Sequence, residues 1–208
     1  MFSSILTAAA ALAILQFPAA HAAPTVIEGD SVTTVEPIPG YNIVDLTWEV
    51  EITPGGPTMN VTGTIQDVVK RLTEVNPNYV SDFGLDKPID DMDLPVQTRA
   101  WVERNIFCDV PFSDASNEEI VKGIKYLRTV SGRPKNGPGP DNCGRVSCSY
   151  YSAIYWCNMN AYDMTLDGFY DIANGAQRIV DTCRRGSRVE GQVHYTRGWN
   201  VLVRHDSC

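Results

Sequence analysis

The 208-residue sequence has no cysteine before position 108, only three histidines, and no apolar run long enough to cross a bilayer. It also contains no G-x-S-x-G nucleophile turn, no H-E-x-x-H zinc helix and no glycine-rich phosphate loop. Each absence excludes something. A spanning helix needs about 20 consecutive apolar residues, so no membrane span is expected. The missing motifs remove the enzyme classes that those local patterns identify. Positive charge is scarce in the first half: residues 23–120 carry 18 Asp/Glu against 5 Lys/Arg, whereas residues 121–208 carry 7 against 12. The net charge of -8 hides that split. The basic residues of the second half are scattered, apart from Arg184, Arg185 and Arg188, so the basic half is expected to pair with the acidic half. No dedicated nucleic-acid binding is expected.

What is present points outside the cell. The chain opens "MFSSILTAAAALAILQFPAAHAAPT", apolar over residues 5–17 and followed by the small-x-small sequence Ala20-His21-Ala22. This pattern predicts a signal peptide over residues 1–22 and a mature chain from residue 23. The expectation is a secreted, extracellular protein. The six cysteines, Cys108, Cys143, Cys148, Cys157, Cys183 and Cys208, are even in number, and in an oxidising compartment they predict three disulfides. Spacing does not choose among the connectivities. Zinc would need C-x2-C pairs or matched histidines. Cys143 and Cys148 stand five apart with no histidine nearby, so neither a metal nor a cofactor is expected.

Periodicity divides the mature chain into two regions. In residues 23–80, "YNIVDLTWEVEIT", "PGGP", "TMNVTGTI" and "QDVVKRLTEV" predict strand, tight turn, strand and short helix. Asn60-Val61-Thr62 is a sequon, which makes Asn60 the expected glycan acceptor of a glycoprotein. Residues 81–98 are rich in aspartate and lack periodicity, as an acidic linker does. Asp90, Asp91 and Asp93 do not have the spacing of a calcium loop.

Residues 99–208 form the expected cysteine-rich α/β module. Ser116 and Glu119 read as a capping box opening a helix with Ile120, Ile124 and Leu127 on one face. The stretch "CGRVSCSYYSAIYWCN" reads as a strand. Tyr150, Ser152, Ile154 and Trp156 point one way, and Tyr151, Ala153, Tyr155 and Cys157 the other. A helix follows over residues 166–183, with Leu166, Phe169, Ile172, Ala176, Ile179 and Cys183 along its apolar stripe. "RVEGQVHYT" and "GWNVLVRHDSC" read as an antiparallel hairpin with Trp199, Val201 and Val203 on one face. The predicted fold class is α+β: an antiparallel sheet covered on one face by two helices, disulfide-stapled, and preceded by a small strand–strand–helix region.

Three stretches, "CGRVSCSYYSAIYWCN", "LDGFYDIANGAQRIVDTC" and "GWNVLVRHDSC", resemble a group of fungal small secreted cysteine-rich proteins. The helix-on-sheet layout is also similar to the killer-toxin-like fold of fungal toxins and secreted effectors. The resemblance implies an exported virulence or competition protein that binds a protein or membrane target outside the cell. It supplies no catalytic residues.

Histidine, glutamate and arginine near the C-terminus give the alternative. Glu190 and His194 lie four apart in one predicted strand, with Arg204 and His205 on its presumed partner. The set resembles that of small secreted fungal ribonucleases, in which a carboxylate and imidazoles shuttle protons. Arg204 and His205 are adjacent in a strand and face opposite ways, so they cannot both complete such a site. Two functions are therefore expected to compete. One is a non-enzymatic, effector- or toxin-like binding protein. The other is a secreted hydrolase, a small ribonuclease using Glu190 and His194. Trp101, Trp156 and Trp199 read as packing residues. Tyr150, Tyr151 and Tyr155 alternate in the predicted strand and so do not read as one surface patch.

Overall fold

The computed structural model describes residues 38, 40–87 and 101–208, all within one compact unit, Thr33–Cys208. The predicted signal peptide (residues 1–22), the mature start at residue 23 and residues 88–98 of the predicted linker lie outside the described residues.

The described residues form twelve strands and four helices. A short strand, β1 (Asn42–Val44), precedes the hairpin β2 (Thr47–Glu51) and β3 (Thr58–Thr62), then α1 (Ile65–Val75) and the single turn α2 (Tyr79–Asp82). After residue 101 come β4 (Glu103–Phe107), β5 (Ala115–Ser116), α3 (Asn117–Thr129), β6 (Lys135–Asn136), β7 (Asn142–Ser149), β8 (Ser152–Asn158) and β9 (Met164–Thr165). The long helix α4 (Phe169–Cys183) leads to β10 (Arg188–Val189), β11 (Gly191–Tyr195) and β12 (Trp199–Arg204). The fold is α+β, as the periodicity predicts.

The main sheet has six strands in the order β1-β7-β8-β12-β11-β4. Only β1 runs parallel to its neighbour; the other pairings are antiparallel. All seven residues of β8 are buried. Ile154 and Trp156 enter one core cluster, whereas Ala153, Tyr155 and Cys157 enter a second. The first cluster also takes the apolar residues of α1 (Ile65, Val68, Leu72), α3 (Ile120, Ile124, Leu127) and α4 (Phe169, Ile172, Ala176, Ile179). The second is closed by Ile38, Tyr41, Ile43 and Phe112. Burial of a large side chain contributes about 1.5–3 kcal/mol, so the doubly covered β8 anchors the fold. α3 and α4 come close to the sheet at glycines. A Cβ on Gly123 would stand 2.5 Å from the Ser147 hydroxyl, and one on Gly175 would stand 2.5 Å from a Val201 methyl.

Three local readings change. The stretch read as one strand is a hairpin, β7 and β8 joined by the two-residue turn Tyr150-Tyr151, with Ser149 opposite Ser152. The capping box at Ser116 does not form. Ser116 is drawn into β5 opposite Arg188, and its amide donates to the Ser152 hydroxyl at 2.9 Å. Glu119 instead accepts from Lys122 at 2.8 Å and from the Ser149 hydroxyl at 3.2 Å. A capping box does open α1, where the Asp67 carboxylate accepts from the Thr64 amide at 2.8 Å. Finally, α4 starts at Phe169 and not Leu166, because Asp171 turns its carboxylate back to accept the Asp167 amide at 3.1 Å.

The three disulfides are Cys108–Cys183, Cys143–Cys157 and Cys148–Cys208. Cys143 and Cys157 are directly opposite in the β7–β8 ladder. Cys108–Cys183 ties the end of β4 to the end of α4, and Cys148–Cys208 ties β7 to the chain's last residue.

Candidate functional site

The four polar residues of the hydrolase alternative do not converge on one point: Glu190 and His194 lie towards opposite ends of β11, and Arg204 and His205 stand at the end of β12 that pairs with the start of β11. Glu190 precedes β11, is 7% exposed, and accepts a hydrogen bond from Arg185 at 2.7 Å. Arg185 also faces Asp109 at 3.3 Å and Asp114 at 3.7 Å. Burial raises the Glu190 carboxyl above the usual carboxylate range and Asp114 adds to it, against the opposing pull of Arg185. His194 sits within β11, opposite Asn200 on one side and Asn105 on the other, with its ring edge-on to Phe107 at 5.7 Å. Burial, helped by the Arg104 charge, lowers its pKa. Four steps of extended chain separate Glu190 from His194, about 13 Å along the strand. Shared proton transfer needs both groups within hydrogen-bond reach of one substrate.

Arg204 and His205 lie at the far end of β12. The Arg204 side chain is buried, donates from Nε to the His205 carbonyl at 2.7 Å, and stands 5.2 Å from the Phe112 ring. His205 lies five residues beyond Asn200, the partner of His194, and so about 16 Å further along β12. Its ring stacks on Tyr151, with centroids 5.6 Å apart and planes 5° from parallel. The structure therefore does not bring the four residues together. Among the described residues, no group of three or more His, Cys, Asp or Glu side chains could hold a metal ion.

The structure draws attention elsewhere, to the β7–β8 turn. Tyr150 and Tyr151 have φ of 43° and 59°, in the left-handed region that bulky residues avoid. Two-residue hairpin turns of this kind normally use Asn-Gly or Asp-Gly. Left-handed backbone costs a side-chain-bearing residue about 1–2 kcal/mol. Both tyrosines point to solvent, 79% and 64% exposed. The turn stays in place because its base is tied down: Cys148 is bridged to Cys208, Ser149 donates to Glu119, and Tyr151 rests on His205. Strain of this kind, held by its surroundings, is found where structure serves binding or catalysis.

Sequence reasoning missed this pair because it placed the tyrosines inside a strand, alternating with Tyr155. Tyr155 is fully buried instead. The available signal was the symmetric Ser-Tyr-Tyr-Ser between two apolar alternations, but it lacks the glycine that marks such turns. Replacing Tyr150→Asn together with Tyr151→Gly is expected to raise the melting temperature by about 2–8 °C, measured by circular dichroism, because the relieved strain exceeds the lost ring stacking. A lower melting temperature would show that the tyrosines hold the fold.

Comparison of the chain with models of protein families, with curated proteins and with solved structures found no match.

Proposed function

We propose that the protein is exported, glycosylated at Asn60, and acts without catalysis by binding a host or competitor component, in the manner of a fungal effector or toxin. The observation that carries this reading is the Tyr150–Tyr151 turn. It presents two aromatic rings to solvent on a backbone that relaxes if the rings are given up. Tyrosine is enriched among residues that dominate binding energy at interfaces. A rigid turn also loses little conformational freedom on association. Three disulfides support the extracellular setting, where such bonds persist. Asn60 is exposed on β3, where its side chain is open to attachment of a glycan. The distance of His194 from both Glu190 and His205 weighs against the ribonuclease alternative.

Two measurements test the reading. Mass spectrometry of the secreted product should show a chain starting near residue 23, every cysteine oxidised, and a hexose-spaced series on the peptide carrying Asn60. Purified mature protein incubated with RNA should leave it intact. Cleavage that disappears in His194→Ala would establish the hydrolase instead, and alkylation of most cysteines in the native, unreduced chain would remove the extracellular setting.

A further inference from the structure

The end of β8 remote from the tyrosine turn opens into a cleft of about 310 Å³, lined in part by Trp101, Arg133, Tyr162, Asp163, Asp167 and Arg197. That volume is at the lower end of the range for small-molecule sites, about 300–1,000 Å³. The two ends of β8 are about 20 Å apart, so this cleft and the turn are separate surfaces.

The walls of the cleft are built to stay where they are. Trp101 meets Trp199 edge-on, with centroids 5.3 Å apart, and Trp199 stacks on Tyr195 at 4.1 Å. The loop carrying Tyr162 and Asp163 is fastened by two asparagines. Asn158, fully buried, donates to the carbonyls of Gly137 and Tyr162, both at 2.7 Å. Asn160 donates to the carbonyls of Arg197 and Gly198, at 3.1 and 2.9 Å, which bolts the loop to the β11–β12 turn. A preformed site of this kind loses little conformational entropy when it is filled.

Charge and shape narrow the ligand. Arg133 faces Asp167 at 3.5 Å, and Lys135, just outside the lining, faces Asp163 at 2.9 Å, so each carboxylate of the cleft is matched by a cation. A groove for nucleic acid is predominantly positive, and two carboxylates at the rim would repel phosphates. What the rim offers is planar groups of both kinds, carboxylates that accept from hydroxyls and guanidiniums that donate to them. Within the rim lie the half-buried Trp101 ring and the Tyr162 ring, which is 65% exposed. A sugar ring has the complementary pattern, an apolar C–H face edged by neighbouring hydroxyls. The Arg197 guanidinium lies over one face of the Trp101 ring, 5.6 Å from its centroid, on an exposed side chain that can swing aside to bond the hydroxyl edge of a sugar stacked there.

We infer that this cleft binds a neutral pyranose unit of an extracellular glycan, with Trp101 as the stacking wall and the Arg133–Asp167 and Lys135–Asp163 pairs around the hydroxyls. The inference deepens the binding function proposed above, on which it rests, by naming the chemistry of one partner.

Calorimetric titration of the intact mature protein with tetramers of glucose, N-acetylglucosamine and mannose tests it. At least one sugar should bind and quench tryptophan fluorescence, and Trp101→Ala should weaken that binding about tenfold. Tyr162→Ala removes an exposed ring without opening the core and should also weaken binding, which separates loss of the site from loss of the fold. The inference falls if none of the three binds at millimolar concentration, if binding is indifferent to both substitutions, or if RNA displaces the sugar. Failure to bind sugar while RNA stays intact overturns the glycan site alone. Shortened oligomers after incubation would support the site and overturn the non-catalytic reading.

Discussion

Replacing Cys108 and Cys183 together by alanine is expected to lower the melting temperature by about 9–18 °C. The bridge spans 75 residues. In the chain-entropy account, closing a loop of that length restricts the unfolded chain by about 4.5 kcal/mol. For a chain of this size each kcal/mol moves the midpoint by about 2–4 °C. The native contacts add to this, because the bridge holds edge strand β4 against the end of α4, and most β4 residues are exposed. Without the cross-link, β4 keeps its ladder with β11 and the exposed Glu103–Arg178 ion pair to α4. The Cys143–Cys157 bridge closes just 14 residues inside a hairpin paired along its length apart from a bulge at Val146, so its removal should cost only about 3 kcal/mol. Thermal unfolding of the two double variants side by side checks the order. Equal losses would show that strain or residual structure, and not loop length, sets the contribution of each bridge.

The substitution Asp206→Ala should cost about 3–5 kcal/mol, read as a drop in the denaturant midpoint, because it strands a cation. Asp206 is wholly buried and Arg145 is 16% exposed. Arg145 donates to the Asp206 carboxylate at 3.2 Å and to the Ser207 carbonyl at 2.8 Å, and the Tyr155 hydroxyl donates to the same carboxylate. Burial and that bond to Asp206 raise the Tyr155 pKa, so the hydroxyl stays a donor throughout the ordinary pH range. Removing the carboxylate leaves a guanidinium and a phenol facing each other under the sheet. Tyr155→Phe should be milder, about 1 kcal/mol, since one hydrogen bond is lost and the Arg145–Asp206 pair survives. If Asp206→Ala proved no worse than Tyr155→Phe, the tail would be held by Cys148–Cys208 alone.

These two results concern the same mechanical point, the stiffness of the sheet at its two ends. The tyrosine turn rises from the strand that carries Cys148, and the C-terminal tail runs beneath it to the Cys208 bridge. Loosening the tail should therefore let the turn relax out of its left-handed backbone, which links the stability of the clamp to the proposed contact surface.

How much of this was legible in the chain depends on the range of the interaction involved. Alternation over Trp48 and Val50, and over Trp199, Val201 and Val203, marked strands that do form. The steps of three and four through Phe169, Ile172, Ala176 and Ile179 marked α4. Such patterns follow from backbone geometry a few residues long, so they survive any tertiary context that buries one face. The even cysteine count likewise indicated cross-linking without reference to fold.

Contacts between distant segments settled the rest. Tyr150 and Tyr151 became a turn because Cys143 and Cys157 align the ladder and leave two residues to reverse it, a constraint that outweighs their local preference for extended backbone. Ser116 lost its capping role to β10, some 70 residues away in sequence. Asp206, to which the sequence patterns assign no role, became a buried anchor because Arg145 and Tyr155 converge on it from neighbouring strands. Composition and periodicity specify much of which segments are helix or strand and that the cysteines are cross-linked. Which side chains meet, and so which surface is left to bind, arises only when the sheet closes, because pairing energy between remote residues is absent from any short stretch of the chain.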